Sequence, residues 1–483
     1  MSPNDATVSK KLARSPIAAR VLKLRNLTHE ERDDGIVIAH SEELIVHTGA
    51  LSRSGSFLHA LRVVADRVGS LAELLGPPTQ LAGAQPDKQL EPDYDPDPNG
   101  PLSNVEIWRL KDTTTGHSLD VSRDLRAIAE RDGFSTPDGL PAIHPHHVAI
   151  LCPSPGGCPA TAPSPDRAPK RPFVQQPSRE STAKVTILDS GYIWTDRDTS
   201  HRNLNDRVTV VRGQWLDTKT GVWKPDEPDG LYTDPDGQLD GISGHGTFIA
   251  GLVSNLAPGT RLEVVGLRNQ EVEIGPLGPR AQLRLYGTEV AIAHAMLRRC
   301  RTDVIQCGFA FPTLDDYPSL PFAAVMKELR TKRAPHDGGV AVVAPAGNEG
   351  SCRPYWPAAL PDVIGVASTD PKGKERAWFS NWGKWCKCSS RGEDVYSTFV
   401  YWHGSVQGKA GAQDFDGWAT WNGTSFAAPK VSAAIAAQFA EGAAASPVDA
   451  WEALKDGKGD VQISTVTDKK LCGSPVDLPY LHL

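Results

Sequence analysis

Asn422-Gly423-Thr424-Ser425-Phe426-Ala427-Ala428-Pro429 places a hydroxyl behind a glycine and ahead of small apolar residues that continue through Val431, Ala434, Ile435 and Phe439. This run predicts a helix entered sharply at Ser425. Gly423 is expected to supply a backbone conformation closed to other residues, and Pro429 to be tolerated because a first-turn N–H has no intrahelical partner. A serine held there sits at the positive end of a helix dipole, where an oxyanion formed beside it is favoured. By itself the octapeptide also reads as a buried Ala-rich helix with a serine cap, so other residues must decide.

Upstream, from residue 183, apolar runs alternate with helical patterns. Strands are expected at Lys184-Val185-Thr186-Ile187-Leu188, Leu262-Glu263-Val264-Val265-Gly266, Val304-Ile305, Val340-Ala341-Val342-Val343-Ala344 and Val363-Ile364-Gly365-Val366-Ala367, with helices near 245–254, 289–299 and 322–332. Continuous apolar strands separated by helices imply an α/β fold whose mostly parallel sheet is covered on both faces and takes ligands at its carboxyl edge. Polar stretches fall at that edge. Asp189-Ser190-Gly191 ends the first strand, Gly244-His245-Gly246-Thr247-Phe248-Ile249-Ala250-Gly251 opens a helix, and Ala346-Gly347-Asn348-Glu349-Gly350 follows an apolar strand. Each has a plain reading alone: a turn aspartate, a structural histidine, a turn asparagine. With Ser425 they supply an orienting carboxylate, a general base, an oxyanion donor and a nucleophile. A serine hydroxyl needs the base, and the base needs a carboxylate to set its tautomer. A helix N-terminus also disfavours imidazolium, which keeps His245 able to accept a proton.

The segments ILDSG, GHGTFIAG and NGTSFAAP, with AGN between the second and third, resemble the subtilisin-like serine peptidases over residues 183 to 442. The resemblance implies a three-layer sandwich around a mostly parallel sheet and peptide hydrolysis through an acyl-enzyme. It makes Ser425 the nucleophile, His245 the acid–base, Asp189 its orienter and Asn348 the oxyanion donor. Where the family carries a small-residue edge strand that pairs with substrate, this chain has Val304-Ile305-Gln306-Cys307-Gly308-Phe309-Ala310. Gly308, Phe309 and Ala310 are therefore expected to line the substrate. Ala310 stands where glycine is common, and its methyl would narrow the pocket, so no preferred side chain is named. Two other readings use the same residues: a macrocyclase that passes the acyl group to an amine, and a binding protein with an idle triad.

Residues 1–152 have a different texture, with strands expected at Gly35–Ala39, Glu43–His47, Val105–Leu110 and His147–Leu151 and helices at Phe57–Leu75 and near Val121–Ala129. They read as a small α+β unit with its own core, either pro-segment-like or a permanent recognition domain. Prolines crowd residues 153–182, which read as an exposed linker. Residues 183–483 are expected to form the peptidase domain that the resemblance implies. Asp95-Pro96-Asp97-Pro98-Asn99-Gly100 with Glu106 has the spacing of a roughly 12-residue calcium loop, but its prolines and a strand at the last position favour an acidic linker. The acidic loop holding Asp226, Glu227, Asp229, Asp234, Asp236 and Asp240 suits basic substrates, calcium, or neither. No cofactor is expected.

The 483 residues carry a net charge of -7 without a basic stripe, which argues against nucleic acid as a partner and leaves a protein or peptide substrate. The first residues contain no apolar core of roughly 7–15 residues and nowhere do roughly 18 apolar residues run together. A cytoplasmic protein without membrane attachment is expected; oligomeric state stays open. Eight cysteines in such a chain read as reduced thiols. Cys386 and Cys388 would share one face of a strand with Cys352 in a nearby loop, a set that lacks a fourth zinc ligand.

Overall fold

The computed structural model describes residues 27–32, 34–47, 79–80, 100, 102–110, 117–132, 135–136, 139–150, 160–169, 183–192, 204, 208–212, 214–217, 222–225, 238–239, 242–267, 286–299, 301–331, 339–406, 409–458 and 461–483. In chain order the front part holds β1 (Leu27–Arg32), β2 (Gly35–His47), β3 (Thr79–Gln80), β4 (Val105–Arg109), α1 (Ser118–Asp132), β5 (Ile143–Ile150) and β6 (Ser164–Pro165). Then come β7 (Lys184–Asp189), β8 (Val208–Arg212), β9 (Gln214–Asp217), β10 (Val222–Pro225), α2 (His245–Leu256), β11 (Arg261–Gly266), β12 (Tyr286–Thr288), α3 (Glu289–Arg298), β13 (Val304–Cys307) and α4 (Leu320–Thr331). The chain continues with β14 (Ala341–Pro345), β15 (Val363–Thr369), β16 (Cys388–Arg391), β17 (Val395–Ser405), β18 (Ala412–Trp421), α5 (Thr424–Ala440), α6 (Pro447–Lys455), β19 (Ile463–Asp468) and β20 (Val476–Leu481).

Nine strands form the main sheet in the order β19-β20-β16-β15-β14-β13-β7-β11-β8. Every pair from β8 across to β20 is parallel, and β19 closes the far edge antiparallel. Side chains alternate between two cores because successive residues of a strand point to opposite faces. Leu188, Val265, Ile305 and Val342 pack with α3 and α4. Their neighbours Ile187, Val264, Val304 and Val343 pack with α2, α5 and α6. Burial on both faces is why these strands read as unbroken apolar runs.

The front part is not a self-contained unit. Its six-stranded sheet, with path β12-β5-β2-β4-β3 and β1 paired on β2, takes β12 from the part that follows as a strand against β5. Leu27, Ile38, Ile45, Val105, Ile107 and Val148 share one apolar cluster with Val290, Ile292, Phe322 and Leu329 of α3 and α4. This corrects the expectation of a separate core, since one face of the front sheet is covered by α3 and α4. The two short strands expected at 35–39 and 43–47 are one strand, β2, with an irregular register against β5 between Ala39 and Leu44. The helix expected at 57–75, the acidic residues 95–99 and nearly all of the 226–240 loop lie outside the described residues.

Buried polar groups fix the contact. Glu289, at the first turn of α3, accepts the backbone N–H of His147 at 2.7 Å, the His147 Nδ1–H at 3.1 Å and the Ser319 hydroxyl at 2.6 Å. His147 Nε2 accepts the Leu314 N–H at 3.0 Å, and His144 Nε2 accepts the Leu320 N–H at 3.1 Å. Both imidazoles must be neutral to do so, because a protonated ring has no lone pair to offer. On the exposed flank Asp315, with φ 55°, meets Arg32, Arg123 and Arg126.

Part of the Pro-rich stretch is also more than bare linker. Residues 160–169 lie along β18: β6 pairs with Ala419 and Thr420, Ala160 N–H donates to Asn422 O at 3.0 Å, and Thr420 Oγ1 donates to Asp166 Oδ2 at 2.7 Å. The cysteines differ from the sequence expectation as well. Cys352 is disulfide-bonded to Cys472, while Cys386 and Cys388 are free, buried thiols in different apolar clusters. The 386–388 segment is not strand throughout, since β16 begins at Cys388, so alternation did not put both on one face. Among the described residues no helix is long and apolar enough to cross a membrane.

Two outcomes follow from these contacts. Cys472→Ser should lower stability by about 2–4 kcal/mol by releasing a long loop in the unfolded chain, read as a fall in thermal midpoint that reductant reproduces in wild type. Burial pushes His144 down from its ordinary 6.5 to about 4, against the pull of Glu289. Its contribution to docking is therefore complete above about 6.5 and is lost as pH falls towards about 4. Hydrogen exchange of β5 amides should quicken over that window, and His144→Gln, which keeps an acceptor but does not titrate, should flatten the change.

Candidate active site

Asp189 is the last residue of β7, a strand in the middle of the sheet, so its carboxylate emerges at the carboxyl edge. His245 is the first residue of α2 and lies beside it: Nδ1 is 2.9 Å from Asp189 Oδ1 and 2.8 Å from Oδ2. A carboxylate can only accept here, so Nδ1 carries the proton and Nε2 keeps its lone pair. Ser190 adds its N–H at 2.6 Å and its hydroxyl at 3.0 Å to Asp189 Oδ1, and both partners of the pair are buried. Two glycines make the approach possible. A Cβ on Gly246 would stand 2.0 Å from Gly191 O, and one on Gly308 would stand 1.6 Å from Asp189 Oδ2.

Ser425 is the second residue of α5 and is fully buried. The histidine ring lies 5.3 Å from the ring of Phe426, the next residue, and 5.7 Å from that of Trp421. Neither Ser425 Oγ nor His245 Nε2 has a hydrogen-bond partner among the described residues. Two local expectations are corrected. Gly423 is extended (φ 166°, ψ 151°), a conformation open to any residue. Pro429 lies in the second turn of a helix that starts at Thr424, so it removes the intrahelical bond that would otherwise reach the carbonyl of Ser425.

Asn348 follows β14 and is tied to the serine's helix. Its Oδ1 accepts the Thr424 N–H at 2.8 Å and the Thr424 hydroxyl at 3.0 Å. Because a backbone N–H can only donate, this contact assigns the oxygen of the amide and turns Nδ2 to the other side. Burial pushes the carboxyl of the next residue, Glu349, up to about 7 against hydrogen bonds from Asn381, Tyr355 and Asn348.

Comparison with known proteins shows the family. The family model for Peptidase S8, the subtilase family, matches residues 180–462, more than half of the chain. The chain belongs to the subtilase family. It is 25% identical over 258 residues to the minor extracellular protease Epr of Bacillus subtilis (strain 168), covering 52% of this chain but 31% of Epr. It is 24% identical over 281 residues to thermitase of Thermoactinomyces vulgaris, covering 56% of this chain and 79% of thermitase. Among solved structures it is similar to a cold adapted subtilisin-like serine proteinase, at 17% identity and TM-score 0.39 over 65% of this chain and 91% of that one. It is also similar to the prenylagaramide maturation protease PagA, at 18% identity and TM-score 0.36 over 57% of this chain and 82% of that one.

In this subtilase, the segment expected as an edge strand for substrate is an interior strand. β13 is flanked by β7 and β14, so its backbone is already paired. Gly308, Phe309 and Ala310 continue beyond it; Phe309 is buried in the core and Ala310 is buried. The closeness of Gly308 to Asp189 has no signal in the sequence, and neither do the roles of Tyr355 and Asn381. Among the described residues two groups have metal-ligating atoms within 4.8 Å of one another: His40, Glu43 and His146, and His144, His147 and Glu289. In the second, the imidazole nitrogens and the carboxylate are already committed to the interface hydrogen bonds. In the first, Glu43 is held by Arg109 at 2.8 Å and by His146 Nδ1 at 2.7 Å. Gly308→Ala should therefore displace the Asp189 carboxylate, and the downfield Nδ1 proton of the buried pair should disappear from the proton NMR spectrum while the chain stays folded.

Proposed function

We propose that this subtilase is a serine endopeptidase in which Ser425 is the nucleophile, His245 the general base and acid, Asp189 its orienter and Asn348 an oxyanion donor. The observation that carries the reading is the double contact of His245 Nδ1 with Asp189, which reserves Nε2 for the serine's proton. Ser425 Oγ attacks the peptide carbonyl as its proton passes to Nε2, and the imidazolium so formed is stabilised by the carboxylate. Negative charge on the carbonyl oxygen is met by Asn348 Nδ2 and the N–H of Ser425, the latter strengthened by the start of α5. Nε2–H then protonates the leaving amine, and water, activated by the same nitrogen, releases the acyl group. The likeness to proteases such as thermitase supports peptide bonds as the target.

The burial of Ser425 favours a second element of the reading: the form described here is shut, and substrate enters after the chain around the serine moves. Separated Ser425 Oγ and His245 Nε2 suit that form, since such bonds often close only when substrate is bound. The cytoplasmic placement expected from the sequence is opposed by the Cys352–Cys472 bond, which suits an oxidising compartment. The relative Epr is named as extracellular.

A fluorophosphonate should label wild type and not Ser425→Ala, and peptide products should carry new free termini with the mass of added water. Asn348→Ala should lower turnover by about 10²–10³-fold with little change in KM. Cyclised products would redirect the reading to transamidation; absence of labelling in a form with Ser425 accessible would sink it.

A further inference from the structure

Glu349 follows Asn348 directly and has no part in the steps above, yet it is half-buried among groups that hold Asn348 in place. Its Oε2 accepts the Asn348 N–H at 2.9 Å and an Asn381 Nδ2–H at 3.0 Å, and it is hydrogen-bonded to the Tyr355 side chain. Asn381 ties the same loop at three points. Its Oδ1 accepts the N–H groups of Glu349 at 3.1 Å and Ser351 at 2.9 Å, and its Nδ2 donates to Ala346 O at 2.9 Å.

The far side of this cluster belongs to the front sheet. The turn between β1 and β2 presents Asp34, whose carbonyl accepts the Tyr355 hydroxyl at 3.2 Å and whose Oδ2 accepts the Ser351 hydroxyl at 3.3 Å. Arg353, buried, reaches Asp34 Oδ1 at 3.8 Å, donates to Thr313 O at 2.7 Å and pairs with Asp316. Gly35 leaves no room at the same spot: its φ is +145°, and a Cβ there would stand 2.2 Å from Tyr355 Oη. Two residues of the front part thus close a chain of direct contacts running Asp34–Tyr355–Glu349–Asn348.

We propose that Glu349 and Tyr355, braced by the Asp34–Gly35 turn, are positioning residues for Asn348, so that the front sheet is a working part of the peptidase. The proposal rests on the reading of Asn348 as an oxyanion donor. A backbone N–H locked on a carboxylate and an amide oxygen locked on Thr424 leave the Asn348 side chain little freedom, and preorganised donors stabilise charge without rearranging. The Tyr355 hydroxyl has one proton. It goes to the carboxylate when Glu349 is ionised and to Asp34 O when Glu349 is itself protonated. Charged and titratable groups facing the cluster are Tyr355, Arg353 and Asp34.

The test measures fluorophosphonate inactivation of the full chain, split into the limiting rate and the half-saturating concentration, from pH 5 to 9, which needs no peptide substrate. Tyr355→Phe and Glu349→Ala should each lower the limiting rate about tenfold without changing half-saturation. Glu349→Gln, which keeps an acceptor, should restore most of the rate. Tyr355→Phe should also move the acid limb to higher pH, because the carboxyl loses a hydrogen bond that lowers it, and that movement should vanish in the Glu349→Gln background. Asp34→Ala keeps the carbonyl that Tyr355 uses but removes the carboxylate, 45% exposed, that Ser351 and Arg353 contact in the same loop, and should lower the limiting rate several-fold. If Asn348→Ala falls by 10²-fold while Tyr355→Phe, Glu349→Ala and Asp34→Ala match wild type in rate and pH profile, the proposal is overturned and the oxyanion reading survives. If Asn348→Ala also matches wild type, both are overturned.

Discussion

A buried carboxylate and a buried imidazole in contact are the constraint from which the rest of the site follows. Asp189 and His245 are each about 1% exposed, and a charge removed from water is tolerated only when its oxygens are hydrogen-bonded. Ser190 and His245 meet that need, but only if the turn after β7 and the start of α2 come within bonding distance. Gly246 and Gly308 give up their side chains to that approach. The pair therefore dictates sequence at positions that carry no chemistry of their own.

The same logic, that a buried acceptor must be filled, explains how the two halves of the chain are joined. Glu289 stands at the first turn of α3, where the dipole favours a negative charge, and its oxygens are satisfied from β5 and from Ser319. Two neutral histidines answer the N–H groups of Leu314 and Leu320. These donors and acceptors have no intrinsic affinity for one another in water. Once the apolar cluster around Ile45, Val148, Val290 and Phe322 has excluded solvent, leaving any of them unpaired is costly. Apolar burial drives the association, and the polar contacts set its register.

The segment from Gly308 to Tyr355 is where these two requirements meet. It begins against Asp189, passes the N–H groups accepted by His147 and His144, and after β14 carries Asn348 and the loop braced by Asp34. A change in how the front sheet sits is felt at both ends of that path. This separates the protein from a peptidase core merely preceded by an extra domain: the front sheet borrows β12 and shares the core of α3 and α4.

What the sequence by itself determined was what repeats locally. The apolar runs from Lys184 to Ala367 marked β7, β11, β13, β14 and β15, because strands buried on both faces have no polar side to interrupt them. The short motifs around Asp189, His245, Asn348 and Ser425 were visible because each pairs a polar side chain with a turn or a helix start. Tertiary structure decided whatever depends on residues distant in the chain. It joined Cys352 to Cys472, placed Cys386 and Cys388 in different apolar clusters, turned Val304–Cys307 into an interior strand and drew residues 160–169 alongside β18. It also gave Gly308, Glu349 and Tyr355 their surroundings. A single chain records which side chains are available, but not which of them exclude water together, and that shared exclusion decides which carboxylate, thiol or glycine matters.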